Sequence, residues 1–337
     1  MALTPLNAQH KFQITAGTEG RIRGHQFERD LRDSINKLAT QGAYFTPKDF
    51  DERNGRKRHI FTNMPATKLL QYISSMENLP IINYQAVWTG ALATSGKGDQ
   101  VTVGNGKKLK ASKSDDLLEV QTPEGSRIIG ISAKSCNRPI PTNDQIFFTT
   151  ASAFCDLLRR NGINVSRMAE DGLSAFCGDK GFRPCDILNE EQLHNRIANH
   201  VDDARFFWEE LSPSALNEWE NEILTPYQDQ ITRILLKLAY EDDPFPPDYI
   251  IHKTRSATSL DECEFALFSV EELIRLSHEF SGYGRKLYKI RKGSHKDDPY
   301  DHVAPFFGFI QFQRGGQKQH PTQLQFNLKA GYFRHCQ

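Results

Sequence analysis

The stretch KSDDLLEVQTPEGSRIIGISAKS, residues 113–135, decides how the rest of the chain is read. Asp115 and Asp116 open an apolar run, Leu117 to Val120. TPEGS makes a turn, and a second apolar run from Arg127 ends at Lys134. So few residues join the two runs that they should pair as an antiparallel hairpin. In a strand, residues two apart face the same way. Ser132 and Lys134 therefore share a face, and Ala133 looks the other way. Asp116 starts the neighbouring strand with Asp115 just before it, so the hairpin can gather acid and amine at one end of a sheet.

That grouping suits phosphodiester cleavage. Mg²⁺ prefers oxygen ligands, takes one or two carboxylates and keeps several waters. A bound ion lowers the pKa of its water and offsets phosphate charge. A lysine beside it can orient the nucleophile or oppose developing charge. The same residues also suit a turn-capping acid and a lysine whose stem covers apolar surface.

Outward from the hairpin, helical spacing over 20–40 puts Phe27, Leu31, Ile35 and Leu38 on one stripe. Residues 1–17 read as an irregular lead-in. Pro65 can open a second helix with Leu69, Leu70 and Ile73 inward. Residues 79–89 read as a strand. Residues 143–160 read as a helix, and 189–240 as two long helices broken near Ser212-Pro213. Residues 270–278 are helical, and the tail alternates strand and turn through 306–313 and 322–328. The order implies an α/β or α+β fold with a mixed central sheet flanked by helices. The expected parts are 1–165 with the hairpin, an acidic helical insertion over 166–246, and 247–337 completing the core.

The chain has 337 residues, 38% hydrophobic and 25% charged, which gives it ample material for a core. No apolar run reaches the ~18 residues of a membrane span, and the start lacks the shape of a signal peptide. The cytoplasm is the expected location, and the six cysteines are expected as free thiols. Net charge is zero but unevenly spread: residues 186–243 carry fourteen acids against four bases. Bases cluster at Arg53, Arg56, Lys57 and Arg58, at Lys107, Lys108, Lys110 and Lys113, and at Arg285, Lys286, Lys289, Arg291 and Lys292. Segregated charge can present a positive groove to phosphate, and solvated loops give the same pattern.

Asp116 followed, after a short gap, by an apolar run ending in Ser132-Ala133-Lys134 resembles the PD-(D/E)xK nuclease core. The upstream segment GHQFERDLRDSI (24–35), with Glu28, resembles the helix that carries a glutamate in that family. Residues 20–160 follow the family's order, and the whole is most similar to a type II restriction endonuclease of a bacterial or archaeal cell. The resemblance implies a restriction-endonuclease-like core and Mg²⁺-dependent, site-specific cleavage of double-stranded DNA. Asp116 and Asp115 would bind metal and Lys134 would handle the nucleophile. Ser132 stands where the family has Asp or Glu, and Ser114 where it often has Pro. Some restriction enzymes recruit the missing acid from a helix. Glu28 and Asp144 are the candidates here, with Asp115 as a further source of charge. Glu28 also suits a surface ion pair with Arg32.

Specific cleavage needs groups that read base edges. Asn137 and Arg138 lie in a proline-stiffened loop just past Lys134. The tail offers Gln311, Gln313, Arg314, Gln317, Lys318, Gln319, His320, Gln323 and Gln325. Phe206, Phe207, Trp208 and Trp219 suit a core, a helix seam or the interface of a homodimer that matches palindromic DNA. Two other functions fit the same core: a repair or recombination nuclease, and a DNA-binding protein that has lost catalysis at Ser132.

Overall fold

The computed structural model describes residues 8–50, 60–90, 92, 101–104, 106–122, 125–136, 141–196, 205–238, 240, 242–255, 262–289, 301–314 and 322–336. The chain opens with α1 (Ala8–Thr40), β1 (Ile60–Phe61), α2 (Pro65–Glu77) and β2 (Asn83–Trp88). Then follow β3 (Val101–Thr102), β4 (Lys108–Leu109), β5 (Asp116–Thr122) and β6 (Gly125–Cys136). The middle holds β7 (Asp144–Thr149), α3 (Ala151–Arg160), α4 (Arg167–Cys177), α5 (Pro184–Ile187), α6 (Glu190–His194), α7 (Pro213–Asn217) and α8 (Gln228–Leu236). The last part holds β8 (Pro247–Arg255), β9 (Cys263–Ser269), α9 (Val270–Phe280), β10 (Tyr283–Tyr288), β11 (His302–Phe307), β12 (Ile310–Arg314) and β13 (Leu324–Leu328).

The elements form two compact units, each built from separated stretches of chain. One takes described residues of 1–142, 236–273 and 330–337, and the other those of 143–235 and 274–329. The expected boundaries at 165 and 246 do not coincide with these. Of 247–337, only β8, β9 and the start of α9 join the hairpin's unit before residue 330.

The first unit is a six-stranded mixed sheet in the order β1-β9-β8-β6-β5-β2. Only β6 and β8 run parallel, with Ile131 beside Tyr249 and Lys134 beside His252. The β5–β6 hairpin pairs Asp116 with Ile131, Leu118 with Ile129 and Thr122 with Gly125. On β5, Leu118 and Val120 join Ile129, Ile131, Tyr249 and Ile251 in a core that α1 and α2 cover. The helices form for reasons visible in their residues. Phe27, Leu31 and Ile35 recur every four positions and are buried. Pro65 sits in the first turn of α2, and Asn78 ends that helix in the left-handed conformation (φ 48°), its N–H returning to Ser74 and Ser75 carbonyls. A smaller cluster of Leu92, Val103, Leu109 and Leu117 forms around β3, β4 and β5.

The second unit has its own five-stranded sheet, β10-β11-β12-β13-β7, antiparallel throughout. Phe154, Phe207, Trp208, Trp219, Phe312 and Phe326 are fully buried in it, which assigns the aromatic run at 206–219 to a core. Phe154 stacks on Trp219 with ring centroids 6.2 Å apart.

Several elements differ from the sequence expectation. The lead-in is helical from Ala8. The helix expected over 143–160 splits into strand β7 and helix α3, because Ile146-Phe147-Phe148 favours a strand and Thr150 caps a new helix at Ala153 N–H. The two long helices expected over 189–240 are short pieces, with a π-helical turn at Glu218–Leu224 just before Pro226. Ser212 does cap a helix, and Pro213 opens it. The six cysteines are free, and among the described residues no helix is long and apolar enough to cross a membrane.

Leu118 is fully buried where the hairpin meets α1 and α2. Leu118→Ala should lower unfolding free energy by about 2–5 kcal/mol, the range for a buried leucine truncated in a packed core. Urea titration followed by circular dichroism measures it, and a loss near zero would show that this face of the sheet is not packed as described.

Candidate active site

The hairpin's register decides which acid meets the lysine. Asp116 faces Ile131 across the ladder, so Asp115 lies one step further out, its N–H bonded to the Ile131 carbonyl at 2.8 Å. That step brings Asp115 level with Ser132, on the face that Ser132 shares with Lys134. Asp115 Oδ2 accepts from Ser132 Oγ at 3.1 Å, from Ala133 N–H at 2.7 Å and from Lys134 Nζ at 3.3 Å. Asp115 and Lys134 are both partly exposed, at 19% and 24% of their side-chain surface. The pair is therefore shielded enough to matter and open enough to meet a ligand.

Asp116 is the wrong acid for this contact. Its side chain falls on the face packed by α1 and is fully buried. Neither carboxylate oxygen has a hydrogen-bond partner among the described residues. Burial first, then the negative charges of Asp115 and Glu28, push its pKa well above the carboxylate range. That direction favours the protonated carboxyl, and the contact with Lys134 expected of Asp116 is made by Asp115.

Glu28 on α1 joins Asp115. It is 6% exposed and accepts a 2.8 Å bond from Trp88 Nε1 at the end of β2. Burial and the Asp115 charge raise its pKa to about 7, against the pull of Trp88 and Lys134. The expected ion pair with Arg32 does not form, since Arg32 turns to Asp33 at 2.7 Å. Trp88 is itself fixed, with the Arg29 guanidinium 5.2 Å from its ring and His25 edge-on at 5.7 Å. A Cβ at Gly90 would lie 2.1 Å from Glu28 Oε2 and 2.8 Å from Trp88 Nε1. Glycine is thus what lets the chain pass the acid–indole contact.

Behind Asp115 the chain is anchored by polar contacts. Thr89 N–H bonds the Asp115 carbonyl at 2.9 Å. Ser114 is buried, and its hydroxyl donates to the Phe245 carbonyl at 2.8 Å. A Cβ on Gly130 would meet that hydroxyl oxygen at 2.4 Å. A hydroxyl therefore does the anchoring at this position. Lys113 donates its backbone N–H to Asp243, and its amine lies 6.0 Å from the Tyr240 ring. Burial and then Lys134 lower its pKa to about 7.

The other expected site residues fall as follows. Asp144 opens strand β7 of the second unit, level with Leu328, and is not at a helix start. Lys107, Lys108 and Lys110 flank the β3–β4 ribbon. Lys108 and Lys110 are exposed, and Lys107 Nζ lies 5.6 Å from the Phe245 ring. Arg314 is turned inward in the second unit, bonded to the Phe206 carbonyl at 3.0 Å. Asn137, Arg138, Gln317 and Lys318 lie outside the described residues, as do the bases at 53–58, Arg291 and Lys292. Sequence reading missed Trp88 and Gly90. Their signal was the strand run NYQAVWTG, ending in an indole and a glycine just where the sheet meets the acids.

Asp115 and Glu28 are two oxygen donors beside a lysine. Among the described residues no three His, Cys, Asp or Glu side chains form a ready ligand cage. Mg²⁺ uses one or two carboxylates and fills its shell with water and substrate oxygens, so the donor set fits a hard divalent ion. No protein-family model matches the chain, and no curated protein matches it.

The raised pKa of Asp116 carries a sign. The folded chain keeps a proton that the unfolded chain releases near pH 3.8, so stability falls as pH rises toward the folded value. Asp116→Asn removes that loss. Its melting temperature should exceed the wild type's at pH 8, with the gap closing toward pH 4. A gap that is constant or reversed would mean that Asp116 is ionised in the fold.

Proposed function

We propose that the chain is a Mg²⁺-dependent endonuclease that hydrolyses phosphodiester bonds in double-stranded DNA, as a site-specific restriction-type enzyme. The observation that carries this reading is the convergence on Asp115: Lys134 Nζ reaches its Oδ2 at 3.3 Å, and the Asp115 charge also reaches Glu28. Asp115 and Glu28 would hold the ion, which supplies an acidified water and charge relief on the phosphate. Lys134 holds the attacking water and opposes charge growing on the phosphoryl oxygens. Asp115 fixes the lysine for that task. Trp88 orients Glu28, and Gly90 keeps the approach open. Ser132 leaves no third carboxylate here and serves Asp115 as a hydrogen-bond donor.

Metal uptake gives a readout that does not depend on activity. A ligand must be deprotonated, and Glu28 holds its proton up to about pH 7. Mn²⁺ binding should release about one proton per chain at pH 6, measured by calorimetry in buffers of different ionisation enthalpy, with affinity rising toward pH 8. Glu28→Gln should abolish the release. Binding with no proton release in the wild type would remove Glu28 from the site.

Cleavage tests the chemistry. With supercoiled plasmid and Mg²⁺, Lys134→Ala and Asp115→Asn should each cut at least about 10²-fold slower, the scale for removing one electrostatic contributor. The circular dichroism spectrum and salt-sensitive DNA binding should persist. Discrete fragments from the wild type fit a site-specific cutter, and cutting only at mismatches or junctions fits the repair alternative. DNA binding with no metal-dependent cutting would overturn the hydrolysis reading and leave a DNA-binding protein.

A further inference from the structure

A cavity of about 330 Å³ lies wholly within the second unit. It exists because two neighbouring strands part. β10 and β11 pair over six positions and β12 and β13 over five, but β11 and β12 pair only at Phe306–Gln311 and Phe307–Ile310. Beyond that hairpin end, Ala304 and Pro305 line one side of the gap and residues 312–314 the other. Proline suits this place because it has no N–H to give a ladder.

The lining has three kinds of chemistry. Phe306 and Tyr288, both partly exposed, supply aromatic surface. Gln311 and Gln313 supply amides that are held in place: Asn143 Nδ2 donates to Gln311 Oε1 at 3.1 Å, and Asn327 Nδ2 donates to Gln313 Oε1 at 3.0 Å. Arg205 and Lys286 bring positive charge to the lining, Lys286 from an exposed position. Arg314 stiffens the wall, stacked 4.6 Å from the Phe207 ring and 5.3 Å from Phe176. Among the described residues no carboxylate lines the cavity.

We propose that this cavity binds a nucleotide, with the base against Phe306 and Tyr288, its edge read by the two glutamines and its phosphate held by Lys286 and Arg205. A flat π-system stacks on aromatic walls whatever its sequence. Fixed amides pair with a base edge, as Asn and Gln do with adenine. The volume lies at the small end for ligand sites, which suits one nucleotide and not a long chain. A lipid has no use for the amides, and a bare phosphate has none for the rings. The nucleotide can come from two sources: free in solution, or part of a strand that is single or has turned a base out of its stack. The pocket goes beyond the hydrolysis reading, since binding here needs neither metal nor Asp115 and Glu28.

Calorimetry on the full chain in EDTA tests it, with the four deoxynucleoside 5′-monophosphates as probes. At least one should bind saturably, one per chain, and its nucleoside should bind about tenfold more weakly for want of the charge-assisted phosphate bonds. Lys286→Ala should weaken the monophosphate about tenfold and leave the nucleoside unchanged. Gln311→Ala should weaken both. Melting temperatures of the two variants check that the fold survives. A short single-stranded oligonucleotide binding tighter than the monophosphate identifies a strand as the source, and weaker binding identifies the free nucleotide. The proposal is overturned if none of the four binds saturably, or if both variants bind as the wild type does. Nucleotide binding without Mg²⁺-dependent plasmid cutting would count against the hydrolysis reading alone. Cutting without nucleotide binding would count against the pocket alone.

Discussion

The contact between Asp115 and Lys134 depends on one fact of strand geometry. Side chains alternate across a sheet, so a hairpin's register decides which of two adjacent aspartates meets a lysine on the partner strand. Here the register sets Asp116 against Ile131. A slip of one residue would bring Asp116 to Lys134 and drive Asp115 into the packed face. The apolar residues on β5 prevent that slip, because it would turn Leu118 and Val120 out of the core that α1 and α2 cover, away from Ile129 and Ile131. The site's geometry is thus held by the same hydrophobic burial that holds the sheet.

Asp115 and Glu28 divide their tasks by environment. Three donors from one strand converge on a single oxygen of Asp115. Glu28 has one indole donor and lies in a drier place, so its proton leaves only near neutrality. Two acids set close together thus have very different surroundings. A carboxylate at position 132 would have set a second negative charge directly beside Asp115. Serine instead donates a hydrogen bond, and the helix supplies the second acid from across the sheet.

Much of the first unit was legible because local rules and tertiary packing agree there. The four-residue spacing of Phe27, Leu31 and Ile35, the proline at 65 and the short turn between two apolar runs each specify one structure. Where two rules competed, the sequence was ambiguous. Residues 143–160 carry apolar residues dense enough for a helix, yet Ile146-Phe147-Phe148 pairs against β13 and Thr150 starts the helix afresh. The choice between Asp115 and Asp116 was closed to sequence reading, since both precede the same run and only the cross-strand register separates them. Trp88 and Gly90 stand some sixty residues from Glu28, and no local pattern ties an indole to a distant carboxylate. The division into units was hidden too, because the chain leaves the first unit after residue 142, returns at 236, and leaves again at 273.

The charge pattern shows why a block of like residues is weak evidence for function. The acidic run at 186–243 reads as a solvated face, but several of its members are committed to packing. Glu220 is buried and binds the Arg285 guanidinium through both oxygens, at 2.8 and 2.7 Å, while also accepting from Trp208. Glu209 takes His302 at 2.8 Å. Arg285 belongs to one of the basic clusters, so part of that cluster's charge is neutralised inside the second unit. What remains for a ligand is set by which cations lack such a commitment in the ladder. Lys286, one residue on and on the opposite face of β10, lines the cavity while its neighbour holds the fold together. Alternation along a single strand thus separates a structural cation from one available for binding, just as it separates Asp116 from Asp115.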